Sequence, residues 1–380
     1  MSLLSVGVFG TSSKENEKRV PIHPDQIEWI DEQVREKLTF EQGYGHHFGI
    51  DDEQIAAQVG GMAPREDLFR NCDVLLLPKP VQADFDAMPE GAILWGWPHC
   101  VQQQSFTQTA IDQKLTLIAW EAMHRWSKHG DWQMHIFHKN NELAGYAGVL
   151  HAFGLAGING SYGPQRKAVV ISFGSVSRGA IHALRGLGVF DITVFTQRYS
   201  TLVADQIIGI EHRTYEEGDD GQILAYREDG QTQYDLIDEL ATADIIVNGT
   251  LQDTDRPQMF VREGEIDRLK PGCLIIDVSC DEGMGFYFAR PTSFADPMFR
   301  VGPALYYAVD HTPSYLWNSA SWEISNSLLP YLPIIMGGPK RWMKSETVKR
   351  AIEIREGVVQ NPKILSFQER EEEYPHAVRE

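Results

Sequence analysis

Three residues with carboxylate-binding or acid–base side chains follow predicted strands in the first third of the chain. Lys79 comes after the apolar run Val74 to Leu77, His99 comes after Ile93 to Trp97, and Arg19 lies in the loop that leaves the first predicted strand. Arginine pairs with carboxylates in a bidentate manner, and burial and neighbouring charges can bring the pKa values of lysine and histidine toward neutrality for proton transfer. These residue types indicate a site for a keto acid or an amino acid.

Glu121 follows the next apolar run, Leu115 to Trp120, and can orient or charge-balance the lysine and histidine. Ligands of open α/β sheets collect beyond the carboxyl ends of the strands, so we expect Arg19, Lys79, His99 and Glu121 at one sheet edge. Taken singly, each has a structural interpretation, as a turn lysine, a buried histidine or a solvated cation. Their occurrence together at strand exits favours a functional site.

A second segment, Lys167 to Gly188, has the order strand, small-residue turn and helix that a dinucleotide-binding fold needs. The three glycine positions of the usual fingerprint hold Ser172, Gly174 and Ser177. The glycine nearest the pyrophosphate is therefore kept, and we predict cofactor contacts from Ser172, Gly174, Ser175 and Val176. An ordinary strand-to-helix turn is the alternative interpretation.

The residues after the next strand indicate which nicotinamide cofactor is used. An acidic residue that binds the ribose hydroxyls of NAD is expected about 20 residues beyond the glycine. The chain instead has Gln197 and Arg198, with hydroxyl side chains at Ser200 and Thr201. A guanidinium suits a 2′-phosphate, which favours NADP(H); NAD(H) remains the alternative if Arg198 is only a surface cation.

Two further strand exits in the same half of the chain are expected to face the nicotinamide end of the cofactor. They carry Thr250 and Leu251 after one strand and Asp277 at the end of another. The alternative for Asp277 is a turn or helix-cap acceptor, which is common at strand exits.

The elements that must position these residues are two series of short apolar runs, which are typical of parallel strands buried on both faces. The runs are Leu4 to Phe9, Val74 to Leu77, Ile93 to Trp97, Leu115 to Trp120, Ala168 to Ser172, Ile192 to Phe195, Asp244 to Asn248 and Leu274 to Val278. They predict an α/β protein with two Rossmann-like domains, parallel sheets and an active site in the interdomain cleft. Residues 1–138 plus 312–380 would form the substrate domain, and residues 139–311 the dinucleotide-binding domain.

Other segments of the chain complete this organisation. Asn141 to Gly154 has helical spacing and is predicted to be a helix and hinge. Val348, Ala351 and Ile352 are predicted to share one face of a late helix, and Glu369 to Glu373 to form a solvated, frayed tail.

Composition excludes several classes of function. The net charge of −19, from 53 acidic and 34 basic residues, argues against nucleic acid as a partner. The four cysteines form no metal-binding pattern, so we predict neither a disulfide nor a metal site. No apolar run is long enough to span a bilayer and no signal peptide is evident, so a cytoplasmic protein without membrane attachment is expected.

The chain resembles the alanine dehydrogenase and pyridine nucleotide transhydrogenase superfamily, and within it the N5-(carboxyethyl)ornithine synthases more than the lysine-forming saccharopine dehydrogenases. The resemblance spans most of the chain and is carried by KRVPIHP, EQGYGHHFGIDD, GWPH, AGYAGVLHA, IIDVSCDEG and DHTPSYLWNSASWEIS. It implies that Arg19 anchors a substrate carboxylate and that Lys79 and His99 serve binding and acid–base chemistry. It also implies a homo-oligomer.

The function expected from this resemblance is an oxidoreductase that condenses a 2-keto acid such as pyruvate with the side-chain amine of ornithine or lysine and reduces the imine with NADPH. The alternatives are an alanine dehydrogenase, a saccharopine dehydrogenase, and a non-catalytic nucleotide-binding or transhydrogenase-like subunit. The phosphate loop has lost glycines, and the chain is longer around His124 to His138 and Thr201 to Gln233. These departures leave the amine substrate open.

Overall fold

The protein is described by a computed structural model that covers residues 3–199, 202, 206–227, 229–253 and 256–379. The chain forms two compact units. Unit 1 comprises Met1–His138 and Trp317–Glu380, and unit 2 comprises Lys139–Leu316. The chain returns to unit 1 at Trp317, a few residues after the predicted position 312.

The strands are short, as expected for parallel sheets with helices on their faces. In chain order they are β1 Val6–Val8, β2 Leu38–Glu41, β3 Gly61–Ala63, β4 Val74–Leu76, β5 Ile93–Gly96, β6 Thr116–Ala119, β7 His124–Trp126, β8 Trp132–His135, β9 Lys167–Ile171, β10 Asp191–Thr196, β11 Glu211–Glu217, β12 Ile223–Tyr226, β13 Gln233–Asp235, β14 Ile245–Asn248, β15 Met259–Val261, β16 Leu274–Asp277, β17 Gly285–Phe286, β18 Met298–Val301, β19 Ala304–Tyr307, β20 Ile352–Arg355 and β21 Val358–Val359. Each of the runs predicted as strands coincides with one of these.

From β1 to β6, α-helices alternate with the parallel strands. In chain order, the α-helices are α1 Glu32–Arg35, α2 Asp52–Ala56, α3 Arg65–Asn71, α4 Gln82–Ala87, α5 Gln104–Asp112, α6 His138–Ala156, α7 Ser175–Gly186, α8 Leu236–Leu240, α9 Trp317–Leu328, α10 Leu332–Met336, α11 Pro339–Trp342, α12 Glu346–Arg350 and α13 Pro362–Phe367. Short 3-10 helices cover Pro24–Trp29, His46–Phe48, Trp120–Ala122, Ile266–Arg268 and Thr312–Leu316.

Each unit is built on one large sheet. Within the described residues, the sheet of unit 1 has the order β21-β20-β6-β5-β4-β1-β2-β3. The last six strands of this order, from β6 to β3, are parallel to one another. The sheet of unit 2 has the order β13-β12-β11-β10-β9-β14-β16-β19-β18, with a parallel centre from β11 to β19. The predicted α/β fold with two parallel sheets is confirmed.

Both faces of the unit 1 sheet are buried. Val74 and Leu76 pack into one apolar cluster, whereas Leu75 and Leu77 pack into another. Successive strand side chains point to opposite faces, so the two clusters lie on the two sides of the sheet. This double burial explains why the strands read as continuous apolar runs.

Two expectations about the last part of the chain are wrong. Ile352 does not share a helical face with Val348, because α12 ends at Arg350 and Ile352 begins strand β20. The acidic tail is exposed as predicted, but it is not frayed. Arg370 within it is 1% exposed, and it donates hydrogen bonds to the Gln108 Oε1 and His376 carbonyl oxygens.

Among the described residues, no helix is both long enough and apolar enough to cross a bilayer. None of the described cysteines, Cys72, Cys100, Cys273 and Cys280, forms a disulfide. No group of three or more His, Cys, Asp or Glu side chains in the described part of the chain is arranged to hold a metal ion.

Candidate functional site

The polar residues predicted at the strand exits of unit 1 converge around one indole ring. The guanidinium carbon of Arg19 lies 5.3 Å from the centroid of the Trp97 ring, and the Lys79 ammonium nitrogen lies 5.5 Å from it. Lys79 also contacts His99, which contacts Glu121. The loop after β1 and the carboxyl ends of β4, β5 and β6 therefore bring the four predicted residues together.

The Lys79 Nζ atom lies 2.7 Å from His99 Nε2. An ammonium group can only donate, so when Lys79 is charged His99 must be neutral and accept at Nε2. The second ring nitrogen, Nδ1, then carries the proton and faces Glu121 Oε1 at 3.8 Å. The pair can thus pass a proton between a cationic and a neutral partner.

His99 is held in an uncommon backbone conformation, with φ of 48°. Non-glycine residues rarely adopt this left-handed region, and where they do the surrounding structure must stabilise it. The His99 N–H donates to Glu121 Oε1 at 2.7 Å. Glu121 therefore orients His99 through its backbone as well as facing its ring.

Arg19 is engaged by a residue that the sequence analysis missed. Glu17 accepts from the Arg19 Nε at 2.8 Å, from its Nη2 at 2.5 Å and from its backbone N–H at 3.0 Å, and both side chains are almost fully buried. Burial raises the pKa of Glu17, but the charge and hydrogen bonds of Arg19 and the charge of Lys79 outweigh it and lower the pKa. The spacing E-x-R was the signal available in the sequence.

The loop that carries Arg19 is fixed at its start by a second buried carboxylate that was also missed. Glu41 accepts from the N–H groups of Gly10 and Thr11 at 2.8 and 2.9 Å, and from the Thr11 hydroxyl at 2.6 Å. Arg65 bridges Glu41 and Asp84, at 3.2 and 2.7 Å. This network holds the loop after β1 in place beside β2.

The electrostatic state of Glu121 differs from that of an ordinary glutamate. Its side chain is 25% exposed, but its Oε2 atom is buried and has no hydrogen-bond partner among the described residues. Burial, followed by the nearby Glu353 carboxylate, raises the pKa of Glu121 to about 8, against the opposing effects of the His99 N–H and Lys79. Glu121 therefore carries a proton over much of the neutral range.

In unit 2, the predicted phosphate loop connects β9 to α7. Ser172 has φ of 83°, in the left-handed region that favours the glycine usually found at this position. Gly174 is the N-cap of α7, which begins at Ser175 with Val176 next, and no side chain of the described residues caps the helix. Within that same part of the chain, a Cβ atom on Gly174 would meet only the Ser172 hydroxyl, at 3.7 Å. Space for a phosphate therefore remains at the uncapped start of a twelve-residue helix.

In the usual fingerprint, the third glycine lets the helix pack closely against its neighbours. That position holds Ser177 here, and other residues provide the close packing. The Ser177 hydroxyl donates to the Ile171 carbonyl oxygen at 3.2 Å. The close contact with α6 is made at Gly179, where a Cβ atom would lie 1.7 Å from the Glu142 carbonyl oxygen. The loop thus keeps the turn, the phosphate approach and the helix packing in spite of its lost glycines, and the residues fit a dinucleotide.

Gln197 and Arg198 lie exposed just after β10. The buried Thr196 at the end of the strand donates from its hydroxyl to the Arg198 carbonyl oxygen at 2.5 Å, which fixes the start of this turn. Ser200 and Thr201 lie outside the described residues. Arg178, a second cation near this edge, stacks on the Phe173 ring of the phosphate loop at 4.1 Å.

The carboxyl ends of β14 and β16 are joined to each other by hydrogen bonds. Asn248 Nδ2 donates to Asp277 Oδ1 at 3.0 Å, and the Ser279 hydroxyl donates to the Thr250 carbonyl oxygen at 2.6 Å. The Leu251 side chain is 96% exposed beside them. A fully exposed leucine at the carboxyl edge of a Rossmann sheet offers an apolar surface to a ligand ring.

Asp277 itself is completely buried. Its carboxylate accepts from Asn248, from the Cys280 N–H at 3.1 Å and from the Tyr306 hydroxyl at 2.8 Å. Burial raises the pKa of Asp277 to about 6. Asp277 is therefore the hydrogen-bond acceptor that joins the end of β14 to the loop after β16. Asp281, further along the same loop and missed in the sequence analysis, is only partly buried, and burial raises its pKa.

Comparison with known proteins identifies the family. The model of the alanine dehydrogenase/PNT C-terminal domain matches residues 150–362, and the model of the alanine dehydrogenase/PNT N-terminal domain matches residues 11–144. The chain belongs to the alanine dehydrogenase/PNT family. The expected superfamily is therefore confirmed, and so is the prediction of an oxidoreductase that acts on CH–NH bonds with a nicotinamide nucleotide.

Individual members of the alanine dehydrogenase/PNT family are similar to this chain at low sequence identity. An N(5)-(carboxyethyl)ornithine synthase from Clostridium botulinum is 27% identical over 326 residues, covering 82% of this chain and 89% of that protein. An alanine dehydrogenase from Mycobacterium tuberculosis is 24% identical over 340 residues, covering 85% of each. A solved L-alanine dehydrogenase structure is 17% identical, with a TM-score of 0.74 over 96% of this chain and 99% of that one, and it shows the same fold.

Proposed function

We propose that the protein is an opine-type oxidoreductase that condenses a 2-keto acid such as pyruvate with the side-chain amine of ornithine or lysine and reduces the imine with NADPH. The observation that carries the proposal is the Lys79–His99 contact beside the buried Arg19 and above Trp97. The similarity to N(5)-(carboxyethyl)ornithine synthases supports the choice of substrates. At 27% and 26% identity, it leaves the amine to be determined by experiment.

Arg19 would anchor the keto-acid carboxylate. Glu17 occupies one edge of its guanidinium through Nε and Nη2, which orients the planar group. A guanidinium has five N–H donors in a fixed fork, so a second carboxylate can bind along another edge. The buried carboxylate also offsets the arginine charge while the substrate site is empty.

Lys79 would polarise the keto oxygen and deliver a proton to it, so that water leaves when the carbinolamine becomes an imine. His99, which accepts from Lys79 at 2.7 Å, would exchange that proton and serve as the acid–base group. Glu121 would hold His99 in place through the backbone contact. When bound, the nicotinamide supplies the hydride, and the protein contributes binding and orientation.

Preference for NADP(H) is the part of the proposal that concerns unit 2. The turn after β10 presents the neutral Gln197 and the cationic Arg198 to solvent, where an acidic residue would favour NAD(H). Ser172, Gly174, Ser175 and Val176 would surround the pyrophosphate. Thr250 and the exposed Leu251 would contact the nicotinamide end, with Asp277 holding their loop.

The deciding experiment measures NADPH consumption by the purified protein with pyruvate and other 2-keto acids against a panel of amino acids. Mass spectrometry then detects any secondary amine. We expect turnover with a diamino acid, and loss of activity by about 10²-fold or more in Lys79→Ala. Lys114→Ala, which removes an exposed lysine paired with Glu90 in the same unit, is the matched control and keeps its activity. Absence of turnover throughout the panel, with normal keto-acid binding by Lys79→Ala, contradicts the proposal.

The second candidate function is alanine dehydrogenase, which the 24% identity to the mycobacterial enzyme favours. Ammonia would then replace the amine, and the protein would oxidise a reduced nicotinamide cofactor with pyruvate and ammonium alone. The panel includes this combination, and 2-oxoglutarate with lysine as the saccharopine-type reaction. Binding of NADPH without turnover of any pair would instead support a non-catalytic nucleotide-binding subunit.

A further inference from the structure

A second buried carboxylate, Glu353, lies on β20, which pairs with β6 just before Glu121; the Ala119 N–H donates to the Ala351 carbonyl oxygen at 2.8 Å. Strand β20 pairs antiparallel with β6, and its register shifts between Ile352 and Ile354, so Glu353 is the extra residue of a β-bulge. Ile352 packs on one face of the sheet, and Ile354 packs on the other. Residues two apart in a regular strand share a face, so the bulge accounts for this exchange.

The bulge leaves the Glu353 side chain buried, at 4% exposure. Its Oε1 atom accepts from Asn361 Nδ2 at 3.0 Å, whereas its Oε2 atom is buried and has no hydrogen-bond partner among the described residues. The Oε2 atom of Glu121 is in the same condition. Two buried carboxyl groups therefore each have one oxygen without a partner, which is costly unless a proton satisfies it.

The two carboxyl groups act on each other. After burial, Glu353 is the strongest influence that raises the pKa of Glu121. Burial also raises the pKa of Glu353, against the hydrogen bond from Asn361. Like charges in a poorly solvated site cannot both be ionised, so one group keeps its proton.

The other titratable groups around them differ in charge. The Cys100 thiol is buried, and burial together with both carboxylates raises its pKa, so it stays neutral. The His135 ring, which contacts the Trp120 carbonyl oxygen, is kept neutral because burial lowers its pKa to about 4. Lys79 and His99 are the groups on the side of the active-site edge.

We propose that Glu353 is a positioning residue that shares one proton with Glu121, so that a neutral Glu121 stands beside His99. Its effect on catalysis rests on the proposed function of Lys79 and His99, but the shared proton itself does not. A neutral Glu121 leaves His99 uncharged and able to accept from Lys79. An anionic Glu121, with its Oε1 atom 3.8 Å from His99 Nδ1, would favour the imidazolium and remove the acceptor.

The first test replaces Glu353 by glutamine, which keeps the size of the side chain and removes its charge. Without a neighbouring carboxylate, burial alone still raises the pKa of Glu121, so this pKa falls and a larger fraction of Glu121 is ionised at neutral pH, where its charge favours the protonated forms of Lys79 and His99. Both limbs of the pH profile of kcat/KM then move to higher pH, by up to about one unit. Glu356→Gln, an exposed charge removal in the same hairpin, is the control and leaves the profile in place.

A second measurement needs no turnover. A carboxyl group whose pKa is raised by folding contributes stability at low pH, and this is lost as pH rises through the folded-state value. This loss begins near the unfolded value of about 4.3 and ends near the folded value of about 8, so thermal unfolding of the full-length protein should show a loss of stability between about pH 5 and 8 that Glu356→Gln retains and Glu353→Gln reduces. If Glu353→Gln does not fold, Asn361→Ala is the second variant. It removes the hydrogen-bond donor to Glu353, so the proton moves from Glu121 toward Glu353. Both limbs of the pH profile should then move to higher pH, by less than in Glu353→Gln.

The outcomes separate the two levels of the proposal. Persistence of the same pH dependence of unfolding in Glu353→Gln overturns the shared proton. A reduced dependence without movement of the kinetic limbs supports the shared proton and overturns its role at His99. A reduced dependence in a protein that turns over no substrate refutes the proposed function and keeps the proton assignment.

Discussion

The phosphate loop allows a prediction in which two glycine-to-alanine changes, five residues apart, have opposite consequences. At Gly179, a Cβ atom would lie 1.7 Å from the Glu142 carbonyl oxygen and 2.6 Å from its carbonyl carbon, distances that folded proteins do not tolerate. Both partners are helix backbone, so α6 or α7 must move. At Gly174, the only described group that the added methyl group would meet is the Ser172 hydroxyl, at 3.7 Å.

The magnitudes follow from these contacts. Forcing a methyl group between packed helices costs about 3 kcal/mol, and the better helix propensity of alanine returns about 1 kcal/mol, so Gly179→Ala should lose about 2 kcal/mol. In a unit of this size that lowers Tm by about 4–8 °C. Gly174 has φ of −74° and ψ of −176°, which any residue adopts. Gly174→Ala should therefore lose only about 0.5 kcal/mol, from a poorer N-cap.

Cofactor binding should show the reverse order. A methyl group at Gly174 occupies the place where we expect the pyrophosphate, so NADPH affinity should fall at least about tenfold. Stabilisation by NADPH at a concentration about 100 times the wild-type Kd is about 2.7 kcal/mol, and a tenfold weaker Kd halves it to about 1.4 kcal/mol. Gly179→Ala, measured below its Tm, should retain near-normal affinity.

Thermal unfolding with and without NADPH, together with calorimetric titration, measures both quantities on the same samples. Wild-type affinity in Gly174→Ala would show that the pyrophosphate does not lie at the start of α7. A Gly179→Ala protein as stable as wild type would show that the packing of α7 on α6 is not as close as described. Either result refutes its own half of the reasoning and leaves the other half intact.

Three further predictions concern other residues. Arg198→Ala should lower the preference for NADPH over NADH by about tenfold or more, and an unchanged ratio of kcat/KM values would mean that this turn does not read the 2′-phosphate. Glu17→Gln leaves the buried Arg19 guanidinium without its carboxylate, so denaturant unfolding should show a loss of about 3 kcal/mol and KM for the keto acid should rise; wild-type stability would contradict the buried pair. Burial lowers the pKa of His135 to about 4, so its contribution to stability is lost as pH falls below the unfolded value of about 6.5. Between pH 7 and 5 the wild-type protein should lose about 2 kcal/mol of unfolding free energy through His135, and His135→Gln should lose correspondingly less over the same range. An equal loss in wild type and His135→Gln would show that the ring protonates freely in the folded protein.

The sequence alone predicted the sheets and the grouping of most of the polar residues at the edge that carries the candidate site. A parallel strand buried on both faces must be apolar throughout, as Val74 to Leu77 is, so the run is visible without any structure. The polar residue that follows such a run has to lie at the carboxyl edge, which is why Lys79, His99 and Glu121 could be grouped.

Tertiary structure decided which charges are buried and what they face. The bulge at Glu353 was hidden because Val348, Ala351 and Ile352 have helical spacing, and only pairing with β6 makes Ile352 part of a strand. Glu41 was likewise visible only as one acidic residue among many, until the fold placed it against the loop after β1.

The same division applies to the candidate chemistry. Residue type and position after a strand are local properties, so the chain itself indicates an arginine, a lysine and a histidine at one edge. The pairing of Arg19 with Glu17, the raised pKa of Glu121 and the left-handed conformation of Ser172 depend on burial and on distances of a few ångströms between packed groups. Those quantities arise from long-range packing, because desolvation and Coulomb interactions are set by three-dimensional surroundings rather than by neighbours in sequence.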